Sequence, residues 1–262
     1  MSAAPATLTA PGRALVRAPV APMYDRPSAA GVQMSQRLAG FDIDLLKAEG
    51  DWFLARGTDG YEAWMHRAFL SPAPAHGARR SAQVVRISLG CVTRSAAGDR
   101  RTLPLGARLS PEEIVRSGEV VDQPALPIKF PRTALAITRS AKEYFEGTPY
   151  MWGGITPSGA DCSGFVQTIF GLHGVALPRD ARVQAESGDD AGGLDDLVAG
   201  DLAFFSDTGD GNVTHVAIAI GSNRLVHVAL GRAGYHVENL GDRKDAYVKQ
   251  LQSRFVKASR VL

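Results

Sequence analysis

The chain has 262 residues, 45% of them apolar and 21% charged, with a formal net charge of +2. That balance is globular and long enough for one to three domains, and a charge so close to zero argues against nucleic acid or an acidic membrane surface as partner. No run of apolar residues is long enough to predict a membrane span.

The opening stretch, "MSAAPATLTAPGRALVRAPV", carries prolines and arginines where an export signal needs an unbroken apolar segment. It reads as mature, cytoplasmic sequence, with residues 1–11 a flexible N-terminus. Two cysteines in such a chain are expected to be free thiols. Residues 12–72 then show short extended runs, "ALVRA", "FDIDLLKAEG", "DWFLARGTDG" and "YEAWMHR", separated by Gly-Asp and Asp-Gly turns. Hairpins of this kind predict a small β barrel. A Pro/Ala-rich linker follows, Ser71 to Ala82. Residues 80–128 hold a second set of predicted strands, in "QVVRISLGCVTRS", "RRTLPLGARL" and "SGEVVDQP".

The character changes at Pro131. "TALAITRSAKEYFEG" has apolar residues near helical spacing and stops at Gly147. The segment around Cys162 predicts a second helix, closed by Gly171 and Gly174, and "PRDARVQAESG" a short third. Strands follow in "DLAFFS", "HVAIAIGS", "RLVHVAL" and "YHVENL", with "GSN" a hairpin turn. "DAYVKQLQSRFVKASRVL" adds a last helix and strand. Residues 131–262 are therefore expected to be α+β, helices first and antiparallel strands after.

The chemistry concentrates in that region. Cys162 follows Asp161, a good N-cap, and opens a helix whose unpaired N–H groups and dipole favour the thiolate. A buried packing cysteine is the commoner role for such a position, and two histidines change the weighing. His215 and His227 each interrupt an apolar strand with a titratable ring, on neighbouring strands joined by a tight turn. A thiol, a base and a group orienting that base form a nucleophilic triad whatever their order in the chain. Zinc held by His215, His227 and a carboxylate is the other possibility, and no HExxH or CxxC spacing supports it; no cofactor is called for. Cys91, in "ISLGCVTRS", reads as a packing residue. His66 and His76 read as surface groups, His173 as a helix C-terminal charge, and His236 as a strand residue.

At these residues the sequence resembles the NlpC/P60 cysteine peptidases. "YMWGGITPSGADCSGFVQTIF", "LPRDARVQ", "GDLAFFS" and "THVAIAIGSNRLVHV" match that family's ordered motifs from about Thr133 to Leu262. The resemblance implies a papain-like catalytic domain with Cys162 as nucleophile, His215 as base and His227 as the residue that orients it. It places Tyr150 near the reacting carbonyl. "GDWFLARGTDGYEAWMHRAFL" is similar to bacterial SH3-like domains, with Ala63 in place of a glycine. Two such barrels before the catalytic domain resemble enzymes that recycle cell-wall peptides, and in that group Tyr61 would line the substrate site. Two departures stand out. The counterpart of an acidic contact falls near Gln33 and Met34, and Ala181 replaces a common serine. The implied reaction is hydrolysis of the γ-D-glutamyl–diamino acid bond in a murein peptide with a free N-terminal L-Ala. Asp161, Ser163 and Asp180 flank the expected site, and a carboxylate there could pair with the substrate's ammonium group, one oxygen of Asp161 capping the helix and the other binding. The competing readings are a non-catalytic cell-wall-peptide binding protein and a thiol acyltransferase on the same fold.

Overall fold

A computed structural model describes residues 7–73, 84–95 and 98–262. The chain divides into two units, Met1–Ala125 and Leu126–Leu262.

In the first unit seven strands form one antiparallel sheet: β1 (Gly12–Val16), β2 (Val20–Tyr24), β3 (Gln33–Leu38), β4 (Asp42–Glu49), β5 (Trp52–Arg56), β6 (Glu62–His66) and β7 (Leu70–Pro72), in the order β3-β2-β6-β5-β4-β1-β7. Alternate residues point inward, and Val16, Met23, Ile43, Leu45, Phe53, Met65 and Leu70 close on one another as the core. Three elements go beyond the expected set. β2 and β3 were not predicted, and β7 draws Ser71 and Pro72 out of the expected linker to pair with β1. Residues 74–83, with His76, lie outside the described residues. β8 (Arg86–Arg94), β9 (Arg100–Leu103) and β10 (Ile114–Asp122) make a separate sheet, order β10-β8-β9, with Cys91 buried on β8. His66 is half-buried rather than a plain surface group. Its ring packs edge-on against Trp52, and its Nδ1 accepts the Ala68 N–H at 3.2 Å.

The second unit has helices α1 (Leu126–Lys129), α2 (Ala134–Phe145), α3 (Cys162–Leu172), α4 (Ala181–Gln184) and α5 (Ala246–Ser253). The two-residue strands β11 (Ile155–Thr156) and β12 (Gly159–Ala160) pair just before α3. The main sheet is built from β13 (Asp189–Asp190), β14 (Leu202–Phe205), β15 (His215–Gly221), β16 (Arg224–Ala229), β17 (Gly234–Asn239) and β18 (Phe255–Arg260), in the order β13-β18-β14-β15-β16-β17. Helices α2–α4 precede the strands β14–β17, and α5 and β18 close the unit, as the sequence predicts. Ser222 and Asn223 both take left-handed backbone angles, the turn that a tight hairpin requires, and this fixes β15 beside β16.

α3 is apolar nearly all round because it is wrapped. It packs on α2, β15 and β16. Phe165 meets Phe145 edge-to-face at 5.0 Å and Tyr235 at 6.3 Å. Phe165, Ile169 and Phe170 are fully buried, each stabilising the fold by about 1.5–3 kcal/mol. That packing holds the first turn of α3 against the sheet. His173, just past α3, differs from its expected role as a helix-end charge. It is buried, one nitrogen on the Pro131 carbonyl at 2.8 Å and the other on Ser140 Oγ at 3.0 Å, and burial holds its pKa below the ordinary histidine value. Among the described residues no helix is long and apolar enough to cross a membrane.

Candidate active site

Three elements meet around Cys162: the first turn of α3, the start of β15 and the loop before β11. Thr133 and Asp161 cap α2 and α3 respectively, and Asp161 does so by taking the Gly164 N–H at 2.7 Å. Cys162 is thereby the first residue of the helix. Its Sγ lies 4.0 Å from the Thr214 carbonyl oxygen, and the Val216 and Ser163 N–H groups point at it. Thr214 and Val216 bracket His215, so the thiol sits against the backbone on both sides of that histidine.

The loop Trp152–Gly154 comes close because glycines allow it. Gly153 is in the left-handed region and donates its N–H to Asp161 Oδ2 at 2.8 Å. A Cβ on Gly164 would run into the Gly154 carbonyl oxygen. The pair in "WGG" and the glycine after Cys-Ser are thus two sides of one contact.

His215 Nε2 lies 2.8 Å from His227 Nδ1. Behind His227, its Nε2 lies 3.2 Å from Glu238 Oε1, and Arg232 grips the Glu238 carboxylate with Nε at 2.7 Å and Nη2 at 2.8 Å. Asp245 holds Arg232 in turn, and Tyr247 covers the His227 ring. Sequence reading missed Glu238, Arg232 and Asp245. Glu238 looks like an ordinary polar position in an alternating strand. The register reveals it: His227 pairs with His236 and Leu225 with Glu238, which sets Glu238 diagonal to His227.

The electrostatics run against one expectation. Burial pushes the Cys162 thiol up to about 12, Asp161 adds to this, and the Val216 and Ser163 N–H groups oppose it less strongly. The helix dipole does not win, because desolvation disfavours the thiolate more than the helix end favours it. Burial and the neighbouring His227 hold His215 well below the ordinary histidine value, and burial holds His227 down as well. Burial thus favours the neutral form of the thiol and of both imidazoles. Burial, first, and then Cys162 push the Tyr150 hydroxyl up, so it remains a proton donor. Tyr150 is fixed by its N–H to the Ala233 carbonyl at 3.0 Å.

The remaining expected residues are spread differently. Asp161 is 6% exposed and both its oxygens are taken: Oδ1 by Gly164 and Arg179, Oδ2 by Gly153 and Arg179. No oxygen is left over for a substrate ammonium group, which corrects the expectation that Asp161 caps and binds at once. Ser163 is buried too, its Oγ accepting from Arg179 at 2.8 Å. Arg179, in "LPRDARVQ", carries no sign of this burial in the sequence. Asp180 is exposed at the start of α4 and caps no helix N–H. Tyr61 belongs to the first unit, where its N–H bonds Asp59 Oδ1 and its ring faces Arg37. Among the described residues no group of three His, Cys, Asp or Glu has the spacing of a metal site.

Residues 147–257 match the NlpC/P60 family. The chain is 41% identical over 109 residues to a gamma-D-glutamyl-L-lysine dipeptidyl-peptidase of Bacillus subtilis (strain 168), a stretch that is 41% of this chain and 36% of that protein. It is 27% identical over 259 residues to a protein of the same name from Bacillus cereus (strain ATCC 10987 / NRS 248), covering 80% of this chain and 74% of the relative. An NlpC/P60 family protein from Bacillus cereus ATCC 10987, solved by crystallography, shares the fold with a TM-score of 0.80 at 20% identity, over 96% of this chain and 100% of that one.

Proposed function

The chain carries an NlpC/P60 family domain at residues 147–257, and from that premise we propose that it is a cysteine peptidase that hydrolyses the γ-D-glutamyl–diamino acid bond of short murein peptides in the cytosol. The observation that carries this reading is the seat of Cys162: a thiol at the first turn of α3, against the backbone on either side of His215, with His215 bonded to His227. The names of the two Bacillus relatives support the choice of bond.

In this reading the Cys162 proton passes to His215 as Sγ attacks the γ-carbonyl of D-glutamate. The tetrahedral oxyanion takes hydrogen bonds from N–H groups at the start of α3 and from the Tyr150 hydroxyl. His215 then returns the proton to the leaving amine of the diamino acid, and the C–N bond breaks. Water, deprotonated by His215, cleaves the thioester and restores the thiol. Because burial favours the neutral thiol, proton transfer to His215 accompanies the attack of Sγ.

Residues 12–72 and 80–128 act in this reading as SH3-like domains. Asp180 is the carboxylate suited to the free ammonium of an N-terminal L-Ala, since it is exposed whereas Asp161 is buried in its own bonds. The test is hydrolysis of L-Ala-γ-D-Glu-diaminopimelate against its N-acetylated form, with product analysis in the presence and absence of an amine acceptor. A free diamino acid as product and a loss of kcat/KM on acetylation support the reading. No cleavage points to a binding protein, a new amide to an acyltransferase, and equal rates on both peptides reject ammonium recognition.

A further inference from the structure

Beyond His227 the polar chain continues through three charged side chains, and hydrogen-bond bookkeeping along it fixes where each proton sits. Glu238 is 1% exposed. Burial works to raise its pKa, and the bonds to and charges of His227 and Arg232 together outweigh it and hold the carboxyl down to about 2. An ionised carboxylate only accepts, and an arginine only donates. His227 Nε2, 3.2 Å from Glu238 Oε1, must therefore carry a proton. A neutral imidazole has one donor and one acceptor, so His227 Nδ1 is bare and must accept. Its partner at 2.8 Å, His215 Nε2, must then carry the proton of that ring. His215 is left with its lone pair on Nδ1.

We propose that Glu238 is a positioning residue of this centre: by fixing the tautomer of His227 it dictates that His215 offers Nδ1, and no other atom, as the base. The proposal rests on the reading of Cys162, His215 and His227 as catalytic, while its proton pattern can be observed without any turnover. With a different partner at this position His227 could reverse its tautomer. Its Nδ1–H would then face His215 Nε2, and the His215 proton would move to Nδ1, where a base is needed. The carboxylate has a second effect. When His215 takes the thiol proton, the imidazolium charge is opposite in sign to Glu238 and linked to it through one ring. Arg232 and Asp245 complete the device by keeping Glu238 oriented and ionised. The titratable or charged groups facing His227 are His215 on β15, His236 and Glu238 on β17, Arg232 in the turn before β17 and Tyr247 on α5. Only Glu238 among these favours its protonated form.

The experiment combines nitrogen-15 NMR of histidine-labelled full-length protein with kinetics of Glu238→Gln on the murein tripeptide. In the wild type at pH 7–8, His227 and His215 are both expected as Nε2–H tautomers. Glu238→Gln is expected to lower kcat by roughly 10–100-fold, the range found when a metal-bound histidine loses its outer hydrogen-bond partner, with KM little changed. Its acid limb should move to lower pH, because loss of the anion lowers the basicity of the histidine pair. A purely structural role would not move that limb. His227 found as the Nδ1–H tautomer in the wild type overturns the proposal. A folded Glu238→Gln with wild-type kcat and an unmoved acid limb overturns it equally. If the variant fails to fold, the wild-type tautomers decide. If the wild type cleaves no peptide, the peptidase reading fails, and the tautomers still decide whether Glu238 sets the proton pattern.

Discussion

Arg179 and Asp161 close a two-bond ion pair beneath the first turn of α3, Nη1 to Oδ1 at 3.0 Å and Nη2 to Oδ2 at 2.6 Å, with both side chains almost wholly buried. The same carboxylate caps α3 and holds the Gly153 N–H. One residue thus ties the helix that Cys162 opens to the loop beside it, and Arg179 neutralises the charge that this requires. Arg179→Met should leave Asp161 buried and uncompensated, at a cost of about 3–5 kcal/mol. Urea unfolding measures it; a loss below about 1 kcal/mol would show that the pair does not hold the site together.

Gly164→Ala should damage activity by a different route. The added methyl meets the Gly154 carbonyl oxygen, so the loop must retreat from α3, with an overpacking cost of about 1–3 kcal/mol. Activity should fall further than stability alone explains, since the Gly153 N–H to Asp161 bond stretches first. An Ala variant with wild-type kcat at a lower Tm would locate the damage elsewhere.

The two thiols should separate cleanly. Cys162→Ser should abolish hydrolysis with the fold intact, and Cys91→Ser, on β8 of the other unit, should retain it. Because burial raises the Cys162 pKa to about 12, iodoacetamide should inactivate the resting enzyme slowly at pH 7 and steadily faster toward pH 10. A rate flat from pH 6 to 9 would mean that a thiolate–imidazolium pair exists without substrate. Full activity after stoichiometric alkylation at Cys162 would remove it from the mechanism.

Stability should fall on the acid side of neutrality. His173, His215 and His227 all have folded pKa values below the ordinary 6.5. The unfolded chain therefore binds protons first as the pH drops below that value, and the native state loses ground until the folded rings titrate. Above 6.5 neither state binds them and the contribution is constant. Tm measured from pH 8 to 5 should be level and then decline. His173→Asn should lower Tm throughout and make the decline shallower; an unchanged slope would show that His173 is not one of the groups responsible.

Elements dominated by short-range chemistry were legible in the sequence. Asp161 before Cys162 announces a helix start, and "GSN" announces a turn that the left-handed Ser222 and Asn223 complete. β2 was hidden because "VAPMY" contains a proline, tolerated where β2 meets β6 at one residue pair alone, Tyr24 with Trp64. β3, "QMSQRL", hides its burial behind polar residues: Ser35, Gln36 and Arg37 are all inside. At the site Cys162 stood out by its place at a helix start, and the two histidines as intrusions into apolar strands. Their supports did not. Arg179 and Glu238 are charged residues in places where charge is unremarkable, and only the register and the chain crossing bring them to Asp161 and His227. The high thiol pKa was equally hidden, since desolvation depends on what covers a residue and not on its neighbours in sequence.

The place of β18 has a consequence for how this unit comes into being. It is the last strand in the order of the chain, yet it lies inside the sheet, between β13 and β14. Until residues 255–260 have left the ribosome, β14 is a sheet edge: four consecutive buried apolar residues, Leu202–Phe205, with one side of their backbone unpaired. Such an edge is a template for pairing with other chains. During synthesis the segment carrying His215 and His227 is therefore already made while its sheet still has an open seam at β14.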